Sequence, residues 1–272
     1  RTLAFLGVRN LPDMGRRFQE TDLYAAFSGS LSGLDPGMLP PRAGAGWKDL
    51  LASVSLLSKA LQATDGETVL AVTELERIPH YRPLPHALLL LRPASGAALE
   101  ALGAEAFSAL ATEAPGLKRS EHRHAGVLIR TLGDGDVTFA RAVHEGTLLI
   151  ASHEETLHTA LDRASGKGSS LAAHTAFQEL SAALASKDLF GFFNPASLWD
   201  ALPEQDYKTA KALGLTEIDG VGMSLEVTPP LFVERLALHT EKPRGGLLTL
   251  LDNPPLEDAA SARVPAGTLA FA

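Results

Sequence analysis

The sequence predicts an α+β fold in which mainly antiparallel sheets pack against amphipathic helices. Strand-like runs follow one another across tight turns, notably at Gly133–Asp136 and Glu145–Gly146. Between these groups, apolar residues recur at helical spacing. The regular alternation of strand and helix that marks a parallel sheet is absent, so an antiparallel α+β arrangement is favoured.

The N-terminal third contains a strand, a helix start and a long loop. Leu3–Val8 is strand-like, and Asn10 followed by Leu11 and Pro12 is typical of a capped helix start. The Gly- and Pro-rich stretch Leu31–Gly46 predicts a loop. A helix that buries one face is predicted from Trp47 onward, ending at Asp65-Gly66 before a strand at Thr68–Leu75.

The middle of the chain predicts a strand covered on both faces and an antiparallel meander. His86–Arg92 is a short, continuously apolar strand after a Pro-rich crossover, and an Ala-rich helix capped by Ser95 reaches about Glu113. The meander that follows has segments at Lys118–Leu132, Val137–Val143 and Thr147–Ala151.

Helices and a strand pair complete the predicted fold. Helical spacing is present at Glu154–Ala164 and Ala172–Ala185, a strand follows at Asp188–Phe193, and short helices surround Leu198 and Ala210. The last pair of strands is predicted at Ile218–Val227 and Leu231–Thr240, joined by Thr228-Pro229-Pro230.

The two ends of the chain suggest a tandem duplication. Thr2-Leu3-Ala4-Phe5 reappears as Thr268-Leu269-Ala270-Phe271. We therefore divide the chain into an N-terminal strand-helix-strand segment, residues 1–85, a main α+β region, residues 86–262, and the start of a second repeat, residues 263–272. A single domain, with the repeated tetrapeptide a coincidence, is the alternative.

Composition excludes several functional classes. The 272 residues carry 24 Lys and Arg against 32 Asp and Glu, a net charge of −8, which disfavours a nucleic-acid binder. The chain has no cysteine, which excludes disulfides, thiol catalysis and cysteine-bound zinc. The longest apolar run, Ala87–Leu91, is far shorter than a transmembrane segment requires.

Three histidines are candidate metal ligands. His122 and His124 are two residues apart, so on a strand they face the same side, and His144 is expected across the hairpin. Glu121 is an alternative third ligand. The competing interpretation is an ordinary polar face on an antiparallel strand.

Other motifs fail on spacing. His153 and His158 are five residues apart, whereas a zinc-protease helix needs four, and the acidic residues between them fit the helix dipole. Gly166–Ser170 holds the residues of a phosphate loop in the wrong order. No cofactor is predicted, and the balance of motifs disfavours an enzyme.

A family resemblance emerges from the middle of the chain. Gly146–Ser152, Glu154–Leu157, Ser170–Ala172 and Phe177–Leu180, together with the strand-like Val264–Phe271, resemble a family of predicted exported bacterial proteins catalogued as a domain of unknown function, thirty-three fifty-two. The resemblance implies an exported, often lipid-anchored protein of the bacterial envelope, in the periplasm or at the outer membrane. Any lipid anchor is expected outside this chain.

The leading functional hypothesis is a non-catalytic envelope module for binding or scaffolding, one that engages a protein partner or self-associates in a larger assembly. The His80-Tyr81-Arg82 crossover and the Gly/Pro-rich loop are its expected exposed surfaces. One alternative is a metal-dependent hydrolase with a dispersed site near His122, His124 and His144. Another is a carrier of an apolar ligand.

Overall fold

The computed structural model describes residues 2–22, 24–25, 66–76, 84–92, 97–113, 116–133, 138–185, 188–199, 202–240 and 245–252. Several features predicted from the sequence lie outside these residues. They are the Leu31–Gly46 loop, the helix from Trp47, the His80-Tyr81-Arg82 crossover, the Ser95 helix cap, most of the Gly133–Asp136 turn and the strand at Thr268–Phe271.

The described strands form one antiparallel sheet, which confirms the predicted α+β class. Its strand order is β10-β9-β8-β1-β2-β3-β7-β6-β5-β4. Strands from the predicted N-terminal segment, β1 and β2, therefore lie between strands of the main region. The strands are β1 (Ala4–Val8), β2 (Thr68–Glu76), β3 (Leu84–Leu91), β4 (Lys118–His124), β5 (Val127–Gly133), β6 (Thr138–His144), β7 (Thr147–Ala151), β8 (Leu189–Phe193), β9 (Ile218–Thr228) and β10 (Leu231–Thr240).

Helices begin close to their predicted positions. The first helix starts after Asn10, whose side-chain oxygen accepts a hydrogen bond from the Asp13 amide at 2.9 Å. The predicted Ala172–Ala185 helix begins later, because His174 has an extended backbone. None of the described helices has the length and apolar character needed to cross a membrane. The α-helices are α1 (Leu11–Gln19), α2 (Ala97–Glu113), α3 (Glu154–Ala164), α4 (Thr175–Leu184), α5 (Ala196–Trp199) and α6 (Glu204–Ala212), with 3₁₀ turns at Leu171–Ala173, Leu215–Glu217 and Gly246–Asp252.

The two faces of the sheet carry different helices. On one, called the α3 face, Leu157 and Leu161 of α3 pack with the inner residues of the meander, and Leu180 of α4 packs on Phe192. On the opposite, α2 face, Leu99 packs with residues of β3 and β7. Strand β3 lies between α2 and α3, which explains its continuous apolar run.

Tight turns set the register of the meander. The β4–β5 turn places Ala125 and Gly126 at φ 50° and 83°, and the β6–β7 turn places Glu145 and Gly146 at 47° and 71°. Positive φ at both central residues is the two-residue type I′ geometry that matches strand twist. The β4–β5 turn pairs the two histidines of β4 with residues of β5 whose side chains lie on the α3 face.

Two glycines let α4 approach the sheet closely. A Cβ atom on Gly220 would lie 2.9 Å from the Cβ of Ala176, and one on Gly222 would lie 2.8 Å from a methyl of Leu184. Both distances are shorter than real contacts allow, so these positions need glycine. The close packing anchors β9, on which the edge strand β10 depends.

Candidate functional site

Strand β4 is an edge of the sheet and directs its two histidines toward α3. His122 is paired with Ile129 and His124 with Val127. Because directly opposed residues share a face, both histidines lie on the face where Ile129 packs against α3.

Helix α3 meets these histidines with polar side chains spaced four residues apart. Glu154, His158 and Asp162 form one stripe on the helix, since residues four apart are neighbours on a helix surface. The side chains of Glu154, His158 and Asp162 are about one-third exposed, so the stripe lies at the boundary between the core and solvent.

Three ligand-type atoms converge between β4 and α3. The Nε2 atoms of His122 and His158 are 3.3 Å apart. Glu154 Oε1 lies 3.1 Å from the first and 3.4 Å from the second. We call His122, Glu154 and His158 the histidine cluster. Its three atoms form a nearly equilateral triangle that could hold a metal ion.

A second layer supports the cluster. The His124 ring stacks on the His158 ring with centroids 4.1 Å apart and planes 8° from parallel. The Nε2 atom of His124 lies 3.1 Å from Asp162 Oδ1, which also accepts a hydrogen bond from Lys167 at 3.3 Å. The stacked His124 therefore limits how the His158 ring can turn.

The electrostatics of the cluster favour neutral His158. Burial, aided by the neighbouring His124, lowers the pKa of His158 below its ordinary value. The hydrogen bonds from His124 and Lys167 lower the pKa of Asp162, so its carboxylate is ionised at neutral pH. Neutral imidazole is the form that binds metal ions.

The structure brings together His122 and His124 and leaves His144 outside the cluster. His144 lies on the α3 face, because it is two residues from the buried Ala142 on the same strand, but this strand is β6, about 10 Å and two strands from β4. The Nε2 atom of His144 lies 4.0 Å from Glu145 Oε1.

Sequence reasoning missed Glu154 and His158 as members of the site. The spacing of His153 and His158 is indeed wrong for a zinc-protease helix, but Glu154 and His158 are four residues apart and share one helix face. That spacing was the available signal. The sequence gives no indication that α3 contacts β4.

The Gly166–Ser170 loop lies beside an open groove, separate from the histidine cluster. Ser169 and Ser170 line an open groove of about 460 Å³ together with Arg163, His174 and Asn194. The loop joins two helical elements and is not preceded by a strand, in agreement with the rejection of a phosphate loop.

The opposite edge of the sheet forms a second candidate surface. Side chains of successive strands are aligned on the α2 face in one row that crosses the β10 half of the sheet. Gly191 leaves room in this row, because a Cβ there would lie 2.6 Å from Met223 Cγ. The row runs Leu236, Met223, Gly191, Leu6 and Leu70, and its four large apolar side chains are exposed.

Comparison with known proteins identifies a family. The sequence model of the family described as "Protein of unknown function (DUF3352)" matches residues 65–272. The match includes both β4 with α3 and the β9–β10 hairpin, and it confirms the resemblance seen in the sequence motifs. No curated protein and no solved structure shows significant similarity to the chain.

Proposed function

We propose that this chain, which belongs to the DUF3352 family of proteins of unknown function, is a non-catalytic binding and scaffolding module of the bacterial cell envelope. The envelope location is supported by the resemblance to predicted exported proteins. The binding function is supported by one observation: β10 is apolar, and no described strand lies on its outer side.

Strand β10 has the properties of a strand-pairing site. It is a ten-residue edge strand, and in the described part of the chain no strand lies on its outer side. Leu236 and Leu231 are 71% and 64% exposed, and Phe232, Val233 and Leu238 are also exposed. A long apolar edge with unpaired backbone groups is a template for a further strand.

We infer that the occupant is a second copy of this chain, with the two β10 strands antiparallel about a two-fold axis. If the axis passes through Arg235 or Glu234, like charges stand opposite each other, which is destabilising. If it passes through Leu236, Val233–His239 pairs with the same stretch of the other copy. Leu236 then faces its own counterpart, and Arg235 faces Ala237.

Such a pairing fits the row of exposed side chains on the α2 face. Leu236 is the outermost member of that row, so two copies would join their rows into one continuous apolar strip. Closed two-fold pairing uses the same patch on both subunits and yields a dimer.

Sedimentation velocity and native mass spectrometry of the chain test this function. We expect a concentration-dependent dimer that becomes monomeric in Leu236→Lys, because two ammonium groups would face each other at the axis. Leu247→Lys is the matched control, since Leu247 is 57% exposed but lies outside the sheet. A monomeric wild type, or equal association in both variants, contradicts the proposal.

A cysteine cross-link tests the register. The natural chain has no cysteine, so Leu236→Cys introduces a single thiol. Opposed residues of an antiparallel pair have Cα atoms about 4.5–5.5 Å apart, within the usual range for a disulfide. We expect Leu236→Cys to form a covalent dimer on oxidation. In Leu238→Cys the two thiols are offset by about 13 Å along the strands, so it should remain uncross-linked. The reverse result rules out this register.

Fractionation of bacteria that carry the gene tests the location. We expect the protein in the periplasmic or membrane fraction, detected with an antibody against the chain. Recovery with a cytoplasmic marker enzyme contradicts the envelope assignment and leaves the pairing test unaffected.

A further inference from the structure

We infer that the histidine cluster is a zinc site in which His122 Nε2, His158 Nε2 and Glu154 Oε1 are three ligands of one Zn²⁺ ion. This inference is independent of the proposed pairing at β10, which lies at the opposite edge of the sheet. It rests on the spacing of the three atoms, on their chemistry and on the residues that hold them.

The spacing matches tetrahedral coordination. Ligand atoms about 2.0–2.1 Å from zinc at tetrahedral angles are separated from each other by about 3.3 Å. The three separations in the cluster are 3.1, 3.3 and 3.4 Å. One ion can therefore reach all three atoms without movement of the backbone.

Hydrogen bonding alone accounts poorly for this triangle. If both Nε2 atoms carry a proton for Glu154, two N–H donors converge on one carboxylate oxygen with their nitrogen atoms only 3.3 Å apart. If one Nε2 is unprotonated, its lone pair faces the carboxylate oxygen. A cation at the centre removes both conflicts, because all three atoms then point lone pairs at it.

The donor set selects the class of metal. Two imidazole nitrogens and one carboxylate oxygen suit Zn²⁺ and related transition ions, whereas Ca²⁺ and Mg²⁺ prefer oxygen ligands throughout. The His122 side chain is 37% exposed, so solvent can reach the fourth position. Three protein ligands with one open position are the arrangement of zinc sites that keep a water molecule.

Neighbouring side chains position the ligands. His124 stacks on His158 and hydrogen-bonds Asp162, so the ring of His158 is held on one side by a ring that is itself anchored. Glu154 and His158 are on one face of α3, whereas His122 is on β4. A bound ion would therefore fasten the edge strand to the helix.

The test is a Zn²⁺ titration of the full, untagged chain by isothermal titration calorimetry. We expect one ion per chain, with affinity at least tenfold weaker in His122→Gln and in Glu154→Gln, because each removes one ligand. Circular dichroism verifies that both variants are folded. His144→Gln is the matched control on the same sheet face and should bind as the wild type does.

Cobalt gives a second readout that a merely structural role of these residues would not change. Co²⁺ absorbs visible light strongly in four-coordinate sites and weakly when six-coordinate, so its spectrum reports geometry. We expect the strong spectrum in the wild type and in His144→Gln, and its loss in His122→Gln. Binding of less than one ion per chain, or equal weakening in the His144 control, overturns the assignment.

Discussion

The two edge strands of the sheet, β4 and β10, differ in almost every property that governs strand pairing. β4 reads Lys-Arg-Ser-Glu-His-Arg-His, and its histidines dock on α3. β10 exposes leucine, phenylalanine and valine side chains. Charged residues, especially basic ones, prevent an edge strand from pairing with another chain. The β4 edge is therefore protected by its charges, whereas no described strand lies against the outer side of β10.

This difference between the two edges limits how many copies of the chain can associate through the sheet. A sheet with two open edges can add copies at both ends and grow into a fibre, whereas one open edge permits a single two-fold contact. The protected β4 edge thus limits self-association to the dimer that we propose for β10.

A buried ion pair secures the β10 half of the sheet, and breaking it should have the greatest effect on stability. Asp188 is buried, accepts a hydrogen bond from the Val227 amide at 2.7 Å and pairs with Arg17 of α1. Burial raises the pKa of Asp188, but the hydrogen bonds from Arg17 and Val227 outweigh it and leave the pKa below its ordinary value. We expect Asp188→Asn to lower the unfolding free energy by about 3 kcal/mol in urea denaturation.

The exposed partner of the same arginine provides the control. Asp13 is 41% exposed and contacts Arg17 at 2.9 Å. Asp13→Asn should cost far less than Asp188→Asn, because solvent screens exposed ion pairs. Equal losses in the two variants would show that α1 is not held on β9 by the buried pair.

Opening the protected edge is the second prediction. Arg119, Glu121 and Arg123 alternate along β4, and Glu121 also pairs with Arg130 at 2.9 Å. Replacing all three by valine removes the charges and raises strand propensity, so we expect association beyond the dimer. Light scattering at increasing protein concentration measures it.

A charge-free control separates two causes in that experiment. Glutamine at the same three positions removes charge without adding apolar surface. If the glutamine variant associates as strongly as the valine variant, charge alone protects β4. If the valine variant retains the size of the wild type, β4 is protected by something other than these side chains.

Sequence reasoning found the elements because their signals are local. The apolar run within His86–Arg92 predicts β3 as a strand covered on both faces, and Asn10 followed by Leu11 and Pro12 predicts the start of α1. The histidine cluster required knowledge that α3 crosses β4, which is a tertiary contact between residues more than thirty positions apart. Likewise, the apolar residues of β10 indicate a strand but not its place at an edge, because edge position is a property of the strand order.

The smallest effect is expected from His239, the histidine of β10, whose surroundings contrast with those of the cluster. The hydrogen bond that His239 donates to the Asp219 carboxylate on β9, at 2.5 Å, outweighs burial and raises the pKa of His239 above its ordinary value, and a second one to Glu179 on α4, at 3.1 Å, adds to this. Protonated His239 therefore stabilises the fold at pH values below about 6.5, and the stabilisation is lost as the pH rises through the folded-state pKa. We expect the unfolding free energy of the wild type to fall, relative to that of His239→Gln, as the pH rises above about 6.5. A wild-type profile parallel to that of His239→Gln would show that the β9–β10 hairpin gains nothing from this charge.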